Sequence, residues 1–311
     1  MPSEAYALNP DMLVGGQAVL EGVMMRSARG YAVAVRRPDG TLAVDRDAVA
    51  SPADRHRWLK IPVLRGSVVL LQSLLLGFRA LAFAARAAEE PKEGSAKDSS
   101  SASIVASLVV ALAFGIGLFL LLPLALTNLL RAQLAPGMGG LAFNAVDGGL
   151  RVGLFFAYLL AISRLPDIRR VFEYHGAEHK VVYTFEAGEE LTVENARGKS
   201  RLHPRCGTSF LMFVLALSIG LFALIPSAAP FLVKFASRIV FLPLLAGLAY
   251  ETIRFSSRHV GNPLLRALIA PGLWLQRITT REPVDDQIEV ALAALREALT
   301  FDVAPPLSAV L

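Results

Sequence analysis

Two histidines stand four residues apart in the short run His175-Gly176-Ala177-Glu178-His179. Side chains at positions i and i+4 of a helix point to the same side, as two ligands of one metal ion require. Glu178 lies beside both histidines and could accept a proton from a water molecule that the metal activates. The same order of residues, H-x-x-E-H, occurs in inverted zinc proteases. The spacing therefore predicts a zinc site, or a site for another divalent metal, with Glu178 as the catalytic base.

A second pair of metal-ligating residue types follows in His203-Pro204-Arg205-Cys206. A histidine and a cysteine three residues apart can ligate one ion, and a thiolate is a good zinc ligand. Three of the five histidines and the single cysteine fall between residues 175 and 206, which favours one shared site.

We expect His175 and His179 to bind the metal, with His203 as the favoured third ligand and Cys206 as the second choice. One alternative is that the histidines are solvated on a polar helix face. The alternative for Cys206 is a small hydrophobic residue at the boundary of a membrane span.

The composition indicates the class of protein that must position these residues. The chain has 311 residues, a formal charge of +5 and 54% hydrophobic residues, with a mean hydropathy of +0.51. Only 18% of the residues are charged, against about 25% in a typical soluble domain. These values exclude an ordinary soluble enzyme and favour a polytopic membrane protein. The single cysteine excludes an intrachain disulfide.

Four apolar stretches are candidates to cross a bilayer, which requires about 20 residues. They cover residues 104–126, 149–165, 209–225 and 235–253. A fifth stretch, Gly66–Ala85, is interrupted by Arg79. If only the four span, the flanking segments place 24 lysines and arginines inside and 2 outside; if the fifth also spans, 10 lie inside and 16 outside. The positive-inside rule therefore predicts four spans and an interfacial or re-entrant helix at the fifth stretch.

The sequence thus predicts an α-helical polytopic membrane protein of about four transmembrane helices. It adds a small β-rich N-terminal cytoplasmic region and a cytoplasmic helical segment that carries the metal site. The expected segments are 1–64 (β-rich, cytoplasmic), 65–86 (interfacial or re-entrant helix), 87–103 (flexible linker), 104–165 (first transmembrane hairpin), 166–207 (cytoplasmic metal-site segment), 208–253 (second transmembrane hairpin) and 254–311 (cytoplasmic C-terminal helices).

Local signals place individual elements within these segments. Pro38-Asp39-Gly40 separates two alternating runs and predicts a hairpin turn. Pro166-Asp167 is typical of a helix start. An amphipathic helix is expected to open at residues 283–286. Its apolar stripe consists of Ile288, Leu292, Leu295 and Leu299.

Longer motifs around these positions carry a resemblance to a known family. They occupy residues 15–26, 174–180, 191–195, 203–210, 271–276 and 287–291. On these motifs the chain resembles the YqhQ-like family of bacterial membrane proteins, which carries a domain of unknown function and is described as a group of suspected metal-dependent enzymes. The resemblance implies a membrane location and a metal. It supplies no reaction or substrate.

Three functions are open at this level. The favoured one is a zinc-dependent membrane enzyme, with hydrolysis as the favoured reaction and the site at the cytoplasmic membrane surface. The alternative is a non-catalytic membrane scaffold or assembly factor with a structural metal site. A transporter is the weakest candidate, because the sequence shows no internal repeat.

The expected location is the bacterial inner membrane, crossed several times, with both termini in the cytoplasm. Basic cytoplasmic loops fit the anionic head groups of the lipid bilayer. The pI near 9.5 follows from the positive-inside asymmetry, and no nucleic-acid partner is expected. The substrate and the oligomeric state stay open.

Overall fold

The computed structural model describes residues 14–50, 56–88, 101–258 and 263–303. Four strands form one sheet: β1 (Gly15–Val19), β2 (Gly22–Arg26), β3 (Gly30–Arg36) and β4 (Leu42–Ala48). The helices are α1 (Leu64–Ala88), α2 (Ser101–Ile116), α3 (Leu122–Gln133), α4 (Gly140–Ile162), α5 (Pro166–Glu186), α6 (Val193–Arg197), α7 (Gly207–Ala223), α8 (Phe231–Val240), α9 (Leu242–Arg258), α10 (Pro263–Thr279) and α11 (Asp285–Val303). The linker predicted at 87–103 lies, apart from its two ends, outside the described residues.

The strands form an antiparallel meander in the order β1-β2-β3-β4, so the small N-terminal sheet is confirmed. The predicted turn lies between β3 and β4, where Gly40 has a φ of +84°. The N–H group of Arg37 donates to the carbonyl of Thr41 at 2.8 Å and closes this turn. Glycine suits the position because other residues rarely adopt a positive φ.

One face of the sheet packs against α5 and α11. Alternation along the strands sends Val23 and Met25 of β2 to this face, while Met24 points to the other. The core here joins the sheet to both helices and includes Tyr174 of α5. The predicted apolar stripe of α11 lies in this core: Ile288, Leu292, Leu295 and Leu299 are all buried.

The other face of the sheet is covered by the second half of α1. Leu76, Ala80 and Ala84 of α1 are buried there against the strands. The opposite side of α1 exposes large apolar side chains, among them Leu71 at 59% and Leu75 at 56%. A helix with one face on a folded sheet and apolar residues on the other is typical of an interfacial position, although α1 is also long enough to span.

Within the described ranges, three helices are long and apolar enough to cross a membrane: α1, the segment Val109–Gln133 that includes α3, and α4. A short π-helical turn at Gly117–Leu121 joins α2 to α3 within the second of these.

The span predicted at 235–253 consists of two helices, α8 and α9, which bend by 44° relative to one another. They make a fourth candidate if they count as one span. Pro243 is the second residue of α9 and has no N–H group to donate, which suits a bend between α8 and α9. The span predicted at 209–225 is α7, a shorter apolar helix of 17 residues.

The two short loops between these helices lie together at one end of the bundle. Arg131 Nη1, at the end of α3, donates to the carbonyl of Ser227 at 2.9 Å. A Cβ atom at Gly140, the first residue of α4, would lie 3.2 Å from Ser227 Oγ. Loops 134–139 and 224–230 are therefore neighbours, whereas α5 continues from the other end of α4.

Several charged residues inside the apolar helices form ion pairs. Asp147 Oδ2 of α4 accepts hydrogen bonds from Arg151 and from Arg238 of α8. Glu251 of α9 forms an ion pair with Arg65 of α1. These pairs reduce the cost of placing charge among apolar side chains and fix α8 and α9 to their neighbours.

Helix α5 approaches the segment after α10 closely at Gly176. A Cβ atom there would overlap with the carbonyl oxygen of Arg281. The N–H group of Arg281 donates to the carbonyl of Phe172 at 2.8 Å and holds this backbone in place. Only glycine allows the two segments this contact.

We expect Gly176→Ala to destabilise the fold by about 1–3 kcal/mol, because the added methyl group must displace backbone atoms. The melting temperature of the purified protein in detergent measures this loss. Gly153→Ala in α4 is the matched control, since its Cβ would meet no atom within 4 Å. Equal melting temperatures for the two variants would contradict the close contact.

Candidate metal centre

Helix α5 presents His175 and His179 on one side, with ring centroids 4.5 Å apart. His175 Nδ1 lies 2.8 Å from the carbonyl oxygen of Thr279, and His179 Nδ1 lies 2.5 Å from that of Arg201. A carbonyl oxygen can only accept a hydrogen bond, so each Nδ1 carries the ring proton. Both Nε2 atoms are then left with a free lone pair, the arrangement found in metal-ligating histidines.

Cys206 brings a sulfur atom to the same point. Its Sγ lies 3.1 Å from His175 Nε2. Cys206 is the N-cap residue of α7, and the N–H group of Thr208 donates to the sulfur at 3.4 Å. The sulfur thus lies at the positive end of the α7 helix dipole. A predicted ligand is therefore held at the first turn of an apolar helix.

The ligand atoms of His175, His179 and Cys206 lie within 4.8 Å of one another. His179 is 1% exposed, and its Nε2 has no hydrogen-bond partner among the described residues. Burial lowers the pKa of His179, against the effect of the nearby sulfur, so its imidazole is neutral. A buried lone pair without a partner is costly. Two imidazoles and a thiol that converge in this way fit a zinc ion.

Glu178 lies beside this trio. Its Oε2 is 3.4 Å from His179 Nε2, and the side chain is buried. Burial raises the pKa of Glu178, while the imidazoles of His175 and His203 and the N–H group of Gly16 act in the opposite direction. A Cβ atom at Gly16 would lie 3.1 Å from Glu178 Cγ, so strand β1 forms the wall of the site without a side chain.

His203, which the sequence favoured as the third ligand over Cys206, has its ring nitrogens engaged elsewhere. Its Nε2 lies 3.2 Å from Glu186 Oε1, and its Nδ1 accepts a hydrogen bond from the N–H group of Arg205 at 3.3 Å. Burial of Glu186 is outweighed by His203 and Arg205, which lower the pKa of its carboxyl group. The structure thus brings together three of the four predicted ligands, and metal binding by His203 would require it to leave Glu186.

A supporting layer from the end of α10 was not recognised from the sequence. Gln276 accepts a hydrogen bond from the N–H group of His203 at 2.7 Å and donates to its carbonyl at 2.8 Å. Arg201 Nη1 donates to Thr280 Oγ1 at 2.7 Å and thereby fixes the carbonyl that faces His179. Gln276 ends one of the motifs at 271–276, so its type and position were visible but its role was not.

Comparison with known proteins identifies the family of this chain but no reaction. Residues 61–301 match the family described as "Protein of unknown function (DUF1385)". The chain belongs to this family. It is also 34% identical over 302 residues to "Uncharacterized protein YqhQ" of Bacillus subtilis (strain 168), covering 93% of this chain and 92% of that protein. No solved structure matches. The resemblance to the YqhQ-like family is confirmed, and neither description names a metal or a substrate.

We expect the purified protein to carry one zinc ion per chain, measured by elemental mass spectrometry. His175→Ala, His179→Ala and Cys206→Ser should each reduce the content below one ion per chain, because each removes one of three converging ligands. His203→Ala should keep the metal, since its Nε2 contacts Glu186. A metal-free wild type, or a full metal content in the His179→Ala variant, would contradict the centre.

Proposed function

We propose that the protein is a zinc-dependent membrane enzyme that catalyses a hydrolysis at the cytoplasmic surface of the bacterial inner membrane. The observation that carries the proposal is the buried Nε2 of His179, which lies near His175 Nε2 and Cys206 Sγ and makes no hydrogen bond among the described residues. A carboxylate stands directly beside these donors. The site therefore combines three candidate metal ligands with a carboxylate, Glu178, that can accept and donate a proton.

The number of ligands favours catalysis over a purely structural role. Structural zinc sites are closed by four protein ligands, and catalytic sites keep one position for water or substrate. Among the described residues, only His175, His179 and Cys206 form a group whose donor atoms converge within 4.8 Å. A bound zinc ion would polarise the substrate and lower the pKa of water in the remaining position.

Glu178 is the residue that we assign to proton transfer. In a hydrolysis the oxygen of water bonds to the electrophilic carbon or phosphorus atom, and one proton of that water passes to the Glu178 carboxylate. Glu178 then returns the proton to the leaving group as its bond breaks, so water is the only co-reactant. Gly16 of β1 packs against the Glu178 side chain and limits its movement.

A structural centre in a membrane scaffold is the second candidate. The site joins α5, α7 and the end of α10, because its histidines bond to the carbonyls of Thr279 and Arg201 and its cysteine caps α7. A metal there would cross-link the sheet region to the apolar helices. The two candidates differ in what they require of Glu178, which a scaffold needs only for packing.

We therefore expect Glu178→Gln to keep its zinc and its melting temperature but to lose activity by a factor of roughly 10²–10⁴, the usual contribution of a general base. Activity is measured as the zinc-dependent appearance of products by mass spectrometry, after the protein is incubated with bacterial lipid extract and cytosolic metabolites. Glu194→Gln, a change of the same type at an exposed glutamate of α6, is the control. Unchanged product formation in Glu178→Gln would favour the scaffold.

The proposed orientation places loops 134–139 and 224–230 outside and the metal centre inside. The two loops lie at the same end of the bundle, which supports this orientation. The positive-inside rule also supports it, because it places 24 lysines and arginines inside and 2 outside. Both termini and the segment 166–207 are then cytoplasmic.

Single added cysteines test this orientation in intact cells. Gly139→Cys and Ser227→Cys should react with an impermeant maleimide, and Ser200→Cys should react only after the cells are opened. The native Cys206 is buried and serves as the low background. Labelling of Ser200→Cys in intact cells would reverse the orientation and place the centre outside.

A further inference from the structure

Two hollows adjoin the candidate metal centre. The first, here called the Arg26 pocket, has a volume of about 370 Å³ and lies between β1, β2 and α1. The second, here called the apolar groove, has a volume of about 520 Å³ and lies between α1, α7 and α9. Both volumes fall in the range of about 300–1,000 Å³ that is usual for small-molecule sites.

The Arg26 pocket reaches the centre through β1. Gly16 lines the pocket, and a Cβ atom on it would lie 3.1 Å from Glu178 Cγ of the centre. Because β1 is an edge strand and Gly16 has no side chain, only backbone separates the pocket from the proposed base. A ligand in this pocket therefore lies next to the site of proton transfer.

Arg26 gives the pocket a positive charge. Its Nη2 donates to Gln72 Oε1 at 3.3 Å, and no carboxylate of the described residues lies within ion-pair distance. Burial lowers the pKa of Arg26, as expected for a guanidinium that has left water without a counter-charge. A carboxylate or phosphate group can supply that charge through paired hydrogen bonds.

The apolar groove is lined by residues of the helix that Cys206 caps. Phe210 and Val214 line it and lie about one and two helical turns after Cys206 on the same side of α7. Leu70 and Leu74 of α1 line the opposite wall. Helix α1 contributes to both hollows, with Ser73 in the lining of the Arg26 pocket and Leu74 in that of the apolar groove.

We propose that the substrate of the centre is an anionic amphiphile, whose carboxylate or phosphate head binds Arg26 and whose single hydrocarbon chain lies in the apolar groove. That the bound molecule is a substrate rests on the proposed function, but its binding does not require the metal. The groove is lined almost entirely by apolar atoms and can hold a hydrocarbon chain but not a charged head. With the head so placed, the ligand lies against Gly16, whose Cβ position would be 3.1 Å from Glu178 Cγ.

The binding test uses the purified full-length protein and a palmitic acid that carries a photoactivatable diazirine. Illumination should attach the probe to peptides of α1 and α7, identified by mass spectrometry. Val214→Phe, which fills the groove, should reduce this labelling by roughly tenfold, a change of about 1.4 kcal/mol in binding. Leu211→Phe on the same helix, at a position exposed outside the groove, is the matched control and should label like the wild type.

The head group is tested by competition. Unlabelled palmitate should compete with the probe roughly tenfold better than uncharged palmityl alcohol, and Arg26→Gln should abolish that difference. Arg37→Gln, at an exposed arginine after β3, is the control and should keep it. If inorganic phosphate competes as well as palmitate, the pocket binds a free anion, and the proposal of an amphiphilic ligand is wrong.

Zinc content, measured on every sample, separates failure of this inference from failure of the proposed function. Metal-loaded protein whose labelling is unchanged by Val214→Phe overturns the inference alone. Metal-free wild type that still shows groove-dependent labelling supports the binding site and overturns the enzyme. Loss of both the metal and the groove-dependent labelling in the wild type overturns both.

Discussion

The candidate centre depends on two backbone carbonyls that fix two imidazole rings. Thr279 is the last residue of α10, and the last carbonyls of a helix have no partner within it. His175 takes up that unused acceptor with its Nδ1 proton, and the carbonyl of Arg201 does the same for His179. The direction of both Nε2 lone pairs follows from these two bonds. Rotation of either ring would leave a buried carbonyl and a buried N–H group without partners.

This constraint determines much of the surrounding packing. The end of α10 must lie against α5, and Gly176 provides the room for the backbone that follows it. Gln276 holds the loop of His203, one turn before the carbonyl that His175 needs. The arrangement has a cost in the absence of a metal, since an unpaired buried polar group costs about 1–3 kcal/mol. Structural zinc binding yields about 10–16 kcal/mol at neutral pH, so a bound ion would outweigh that cost several times over.

The parts of the structure that were predictable are those encoded by local patterns. The turn at Gly40, the start of α5 at Pro166 and the buried stripe of α11 follow from residue types and spacing alone. The i and i+4 spacing also placed His175 and His179 on one side of a helix. The bend between α8 and α9 was missed because the hydropathy of 235–253 is that of a continuous span, and hydropathy carries no information on direction.

The choice between His203 and Cys206 could not be made from sequence, because it depends on contacts between distant segments. Both residues lie in one short loop at similar distance from α5 along the chain. Gln276, 73 residues further on, binds the backbone of His203, and Glu186 at the end of α5 binds its ring. Cys206 is left to cap α7 with its sulfur toward His175.

The position of Cys206 ties the chemistry of the centre to the apolar helices. As the N-cap of α7 its sulfur cannot move without the helix, and α7 packs against α4, α9 and α10. The sheet contributes from the other side, where β1 places a glycine rather than a side chain against Glu178. A bulkier residue at position 16 would separate Glu178 from the Arg26 pocket as well as displace it. The glycine in this edge strand is required twice, because a Cβ atom at position 16 would lie 2.3 Å from the carbonyl oxygen of Met24 in β2 and 3.1 Å from Glu178 Cγ.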